Sequence, residues 1–146
     1  MAEDRDPFDL QRFVEAQDGV HARALAELKR GRKESHWMWF VFPQLAGLGS
    51  SPMAQRYAIG SLGEACAYLA HPVLGPRLRE LTAAVNGVEG RTAHAIFGSP
   101  DDFKFRSSMT LFQAAAPDEP AYRQALAKYF DGAPDPKSLA LLDQAG

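Results

Sequence analysis

The sequence predicts an all-α fold: one helical domain over residues 1–146, an array of about eight short helices, with residues 1–6 as an N-terminal tail. Three observations carry that expectation. Apolar residues recur three and four apart in stretch after stretch, the spacing of a helix face. Ser-Pro or Asp-Pro pairs open these stretches and glycines close them. No paired alternating runs appear, and Asn86-Gly87 does not separate two such runs, so it is no hairpin turn. A chain of 146 residues can bury about two thirds of its unfolded surface, enough to fold without staples.

The elements follow in order. Asp6-Pro7 starts the first helix, with Phe8, Leu10, Phe13 and Val14 on its apolar face, and Asp18-Gly19 breaks it. The stretch from Val20 resumes the pattern through Leu25 and Leu28, with Lys29 and Arg30 at the negative pole of the helix and Gly31 as its stop. Trp37 to Phe42 is apolar without alternation, which fits either a buried strand or a buried helical turn; Pro43 ends it. Ser51-Pro52 opens the next helix, with Met53, Tyr57 and Ile59 inward and Gly60 as its end. Ser61 and Glu64 form a capping box for "LGEACAYLAH". Leu74, Leu78, Leu81 and Val85 define the following helix, with Pro76 in its first turn and Asn86-Gly87 at its end. A short piece lies between Gly90 and Gly98. Ser99-Pro100-Asp101-Asp102 is then a strong helix start, with two acids near the positive pole. Tyr122, Leu126, Tyr129 and Phe130 share a face, and a last helix runs from Pro136 to Asp143.

Composition narrows the function classes. Sixteen Lys and Arg against eighteen Asp and Glu give a formal net charge of -2, without the basic surplus of a general nucleic-acid binder. Cys66 is the one cysteine, so no internal disulfide can form and no oxidising compartment is indicated. Within "EACAYLA" it reads as a small buried apolar residue. The start, MAEDRDPFDL, lacks the basic and apolar regions of a signal peptide, and no apolar run approaches the ~20 residues of a membrane helix. The expected location is the cytoplasm.

The strings "GRKESHWMWFVFPQLAGLGSS", "YAI", "YLAHPVLGPRL" and "IFGSPDDFKFRSSMTLF" carry a resemblance that spans the chain from Phe8 to Leu142. Together they resemble an uncharacterised bacterial family of small proteins, some of whose members are mislabelled calpastatin. The resemblance implies an all-helical fold with armadillo-like stacking and no established activity. It also implies that the Lys and paired Ser of "KFRSS" belong to the family's motif.

The residues offer one candidate site. No His pairs with another His, Cys or acid at a metal-ligand spacing, so no metal is expected, and no cofactor signature appears. Ser50 and Ser51 in "GLGSS" look like a phosphate loop, yet no Lys precedes them; a helix cap at Ser51 is equally served, and helix N-termini can hold anions. In "ESHWMWFVFPQLAGLGSS" the middle reads as core and the ends as pocket. His36 stands at one end as a candidate acid or base, Trp37 beside it is a candidate ligand contact, and Gln44 follows Pro43 with an amide suited to a polar ligand. In "DDFKFRSSMT" helical spacing puts Lys104 and Ser108 on one face, and mid-helix serines need a reason. Lys104, Ser107 and Ser108 are therefore candidate anion contacts, with Arg106 at the rim. Two function classes compete: a site for a small anionic, phosphate- or nucleotide-like ligand, with catalysis by His36 as an extension; or a helical module whose Trp and Phe meet a protein partner. Neither involves general nucleic-acid binding or a membrane.

Overall fold

Local chemistry sets most helix boundaries in the computed structural model, which describes residues 6–145. Ten helices occur among those residues: α1 Gln11–Gln17, α2 His21–Lys29, α3 Met38–Val41, α4 Pro52–Arg56, α5 Leu62–Ala70, α6 Leu74–Asn86, α7 Ala93–Phe97, α8 Asp101–Ala115, α9 Pro120–Phe130 and α10 Pro136–Ala145. The excess over the expected number lies in the short elements. The Trp-rich stretch is one of these, a single helical turn rather than a strand. Residues 1–5 of the expected tail lie outside the described residues. Asp6, assigned to the same tail, is anchored: its carboxylate accepts from the Leu10 and Gln11 amides at 2.8 Å each and so caps α1.

Ser51, Ser61 and Thr92 cap α4, α5 and α7 by accepting the amides of Ala54, Glu64 and Ala95. The capping box at α5 closes differently from the sequence expectation. Glu64 reaches back to the Gly60 amide at 3.0 Å and pairs with Arg12 at 2.9 Å. At α8 the side-chain cap expected from Ser99 is absent and Pro100 occupies the cap position.

The fold is organised around α8, whose Phe105, Met109, Leu111 and Phe112 are buried and which packs on α5, α7, α9 and α10. Helix α6 in turn packs on α2, α5 and α9. Phe105 stacks on Phe97 with centroids 4.6 Å apart and meets Phe42 edge-on at 5.1 Å, which fastens the segment after α3 to the first half of α8. One parallel bridge, Leu45 to Ile59, ties the loop after Pro43 to the end of α4: Ile59 N donates to Gln44 O and Ala46 N to Ile59 O. Gln44 thereby sits on a fixed backbone.

Three side chains face the other way from the sequence reading, the first being Phe8, placed on the apolar face of the first helix but 36% exposed and ahead of α1. Met53, expected inward, is 36% exposed. Cys66, expected buried, is exposed, with Sγ 3.6 Å from Ala115 O. The inward positions of α5 are Glu64, Ala65, Tyr68 and Leu69, one and four residues apart, and this leaves residue 66 on the outer side. No described helix is long and apolar enough to cross a membrane.

Candidate functional site

The segment between α2 and α3 is irregular, yet one side chain fixes it. Glu27 shares the inward face of α2 with Ala24 and Leu28 and is 2% exposed. Its Oε1 accepts from Glu34 N at 2.8 Å, Ser35 N at 3.0 Å and Trp37 Nε1 at 3.0 Å; its Oε2 accepts from Ser35 Oγ at 2.6 Å. Burial pushes the Glu27 carboxyl up, but these hydrogen bonds, that of Ser35 foremost, outweigh it and hold the pKa at about 2. Four donors around one carboxylate are what make a buried charge tolerable. With residues on both sides held inward, His36 is left exposed.

Lys33 joins this segment to α8. Its backbone N–H donates to Ile96 O at 2.7 Å, and its Nζ donates to Ser35 O at 2.6 Å and pairs with Asp101 at 2.9 Å. Asp101, in the first turn of α8, also lies 3.5 Å from Lys104 Nζ, so two ammonium groups share one carboxylate. Lys104 Nζ lies 5.3 Å from the Trp39 ring centroid, a cation–π distance. Three first-turn amides of α8 are already engaged: Asp102 N donates to Gly98 O, and Phe103 N and Lys104 N to Pro100 O. Positive potential here therefore comes from side chains and not from free amides.

Two adjoining depressions meet at Pro100 and Lys104. One, of about 290 Å³, has Lys33, His36, Trp39 and Asp101 in its wall. The other, of about 340 Å³, has Gln44, Leu48, Phe103, Ser107, Asp135 and Lys137. Three lysines face two aspartates across the pair, which leaves the cleft positive before His36 is counted. Asp135 holds the start of α10: its Oδ2 accepts from Ser138 N at 3.0 Å and Ser138 Oγ at 2.7 Å, and lies 3.2 Å from Ser107 Oγ. Arg106 is spent on the same connection, donating to Ala133 O and Pro134 O.

The sequence-derived residues divide accordingly. His36 and Lys104 line one depression, and Gln44, Lys104 and Ser107 line the other. Ser50 is exposed next to Gly49 and lines neither. Ser108 is fully buried and lines neither depression, its Oγ without a partner among the described residues. Trp37 is fully buried with its N–H on Glu27, and it is Trp39, half-buried, that forms a wall. Sequence reasoning passed over Lys33, Phe103 and Asp135, and read Asp101 only as a capping acid. One signal was present: Glu27 falls on the apolar face of its helix, where an acid needs an explanation. The other histidines are engaged elsewhere. His21 lies 3.2 Å from Glu80, with its pKa lowered by burial and then by Arg77; His71 Nδ1 accepts from the Val73 and Leu74 amides; His94 lies 3.5 Å from Asp102. No group of three metal-ligating side chains occurs among the described residues.

These features define an all-helical protein built around one long helix, with a lysine-bearing cleft at that helix's N-terminal half. The chain belongs to the family described as "Protein of unknown function (DUF1810)", which it matches over residues 7–142. It is similar to the conserved hypothetical protein Rv1873 from Mycobacterium tuberculosis, whose crystal structure superposes with a TM-score of 0.93 at 57% identity, covering 94% of this chain and 99% of that one. No curated protein matches the chain.

Proposed function

We propose that this chain binds a small anion, a phosphate or phosphomonoester, in the cleft where Lys33, Lys104 and His36 meet. The observation that carries the reading is the sharing of Asp101 by Lys33 at 2.9 Å and Lys104 at 3.5 Å. One carboxylate cannot neutralise two ammonium groups, and the surplus charge faces the depression. The Trp39 ring beside Lys104 lowers the local dielectric, which strengthens attraction for an anion. Gln44 and Ser107 add hydrogen-bonding groups at the rim. An imidazole beside a bound phosphate can pass a proton, so His36 extends the reading to acid–base catalysis. A cytoplasmic location belongs to the same reading and is supported by the single cysteine.

The competing reading, a module whose Trp and Phe meet a protein partner, needs those side chains at the surface. Trp37, Phe40 and Phe42 are buried, and Trp39 is half-buried against Lys104.

Calorimetric titration with inorganic phosphate and simple phosphomonoesters tests the proposal. Saturable binding is expected that weakens with added salt and is lost in Lys104→Ala and His36→Ala while their melting temperatures stay near that of the parent. Trp39→Phe is expected to remove the ligand-induced fluorescence change. If no phosphate compound binds saturably, or if His36→Ala binds normally but is severely destabilised, the proposal fails.

A further inference from the structure

Building on the anion reading, we infer that the ligand is a nucleoside monophosphate, with its phosphate at Lys33, Lys104 and His36 and its base against Phe103. The two depressions meet at Lys104, so a ligand held there by its anion extends naturally into the second one. That second depression is built for something other than phosphate. Phe103 is 60% exposed, the most exposed large apolar side chain among the described residues, and it has no aromatic partner among them. A ring left bare beside a cationic site is a stacking surface, and every base has a flat face to lay on it.

The polar groups around Phe103 have unused capacity of the right kind. The Gln44 amide is half-buried and makes no side-chain hydrogen bond among the described residues, so a donor and an acceptor both stand free. The loop beside it packs closely on α4: a Cβ on Gly49 would lie 2.5 Å from Ala54 Cβ, and Gln44 Nε2 would be 3.3 Å from it. Asp135 spends Oδ2 on Ser138 and Ser107, while Oδ1 has no partner among the described residues. A free carboxylate oxygen repels a further phosphate and accepts from ribose hydroxyls or an exocyclic amine. Lys137 lines the same depression and offsets Asp135, so apart from the shared Lys104 this end carries no net charge and suits a neutral sugar and base, while Lys33 and Lys104 give the other end its claim on the phosphate.

The test is calorimetric titration of the full chain with AMP, GMP, CMP and UMP in parallel with ribose 5-phosphate and inorganic phosphate. At least one nucleoside monophosphate should bind about tenfold or more tightly than ribose 5-phosphate. Phe103→Ala, a change at an exposed position that should leave the melting temperature unaltered, should erase that advantage and leave inorganic phosphate affinity as it was. Lys104→Ala should weaken all the phosphate compounds alike. If ribose 5-phosphate or inorganic phosphate binds as tightly as every nucleotide, or Phe103→Ala keeps the advantage, the nucleotide assignment is overturned and the anion reading stands. If none of the compounds binds, both are overturned.

Discussion

Trp37 donates its indole N–H to Glu27 at 3.0 Å, and that bond makes the tryptophan the inner anchor of the segment that displays His36. The indole is fully buried and the carboxylate nearly so. Lys33 Nζ, 5.0 Å from the Trp37 ring, connects the same anchor to Asp101 and the cleft. The histidine's position, in the segment between α2 and α3, is therefore set by a buried charge on α2.

Acid should weaken this anchor. The folded-state pKa of Glu27 is about 2 against an ordinary 4.5, so its contribution is fully present above about pH 5 and fades as pH falls through 4.5 towards 2. The Glu27→Gln variant sets an amide against donors and is expected to lose about 2–3 kcal/mol at neutral pH. Its stability should also change less than the parent's between pH 5 and pH 3. Urea unfolding across that range measures both; parallel acid limbs would mean the charge on Glu27 is not the source.

Cys66 should react with a thiol probe in the native state without denaturant, because it is exposed on the outer side of α5. Cys66→Ser should cost less than about 0.5 kcal/mol, the scale of a surface change. A thiol that reacts only after urea is added, or a cost of the ~1–3 kcal/mol that burying a polar group incurs, would restore the buried reading.

Starts and stops were the legible part of the fold because caps are local chemistry. Ser51-Pro52 and Ser61 mark helices by hydroxyls that accept amides three residues on, and a motif shows that in any context. The Trp-rich turn was not legible. Four residues give no period, so nothing in "WMWFV" says that Trp37 turns in while Trp39 turns to the cleft. For the site, the spacing of Lys104 and Ser108 on one helix was readable, and it brought Lys104 into view. Lys33 was not, because its partner Asp101 lies on a distant helix and only tertiary packing joins them. Asp135 escaped for the same reason: Asp-Pro reads as a helix start, while its contact with Ser107 comes from the docking of α10 on α8.

Two glycines should respond oppositely to alanine. At Gly75 a Cβ would lie 2.1 Å from Leu69 O and 3.0 Å from Leu69 C, backbone atoms that cannot swing aside. Gly75→Ala is expected to cost about 2–4 kcal/mol through a forced shift of α6 against the end of α5. At Gly63, exposed in α5, the nearest atom would be 3.7 Å away, so Gly63→Ala should stabilise by about 0.5–1 kcal/mol. Thermal unfolding of both variants checks this, and a neutral Gly75→Ala would mean the two helices are further apart than described.

The two lysines of the cleft should separate structure from binding. Lys33 is 7% exposed in its side chain and satisfies both Asp101 and the Ser35 carbonyl. Lys33→Ala removes the closer partner of a largely buried carboxylate and leaves a carbonyl short of its donor, a loss of about 2–4 kcal/mol. Lys104 is 24% exposed and meets Asp101 at 3.5 Å, a looser pair on the water side. Lys104→Ala should therefore cost under about 1 kcal/mol yet remove phosphate binding as completely as Lys33→Ala does. Urea unfolding and phosphate titration of both variants read the two effects independently. Equal destabilisation would mean that Lys104 is committed to the ion pair, and the Lys33–Lys104 end of the cleft would then have no ammonium group to offer an anion.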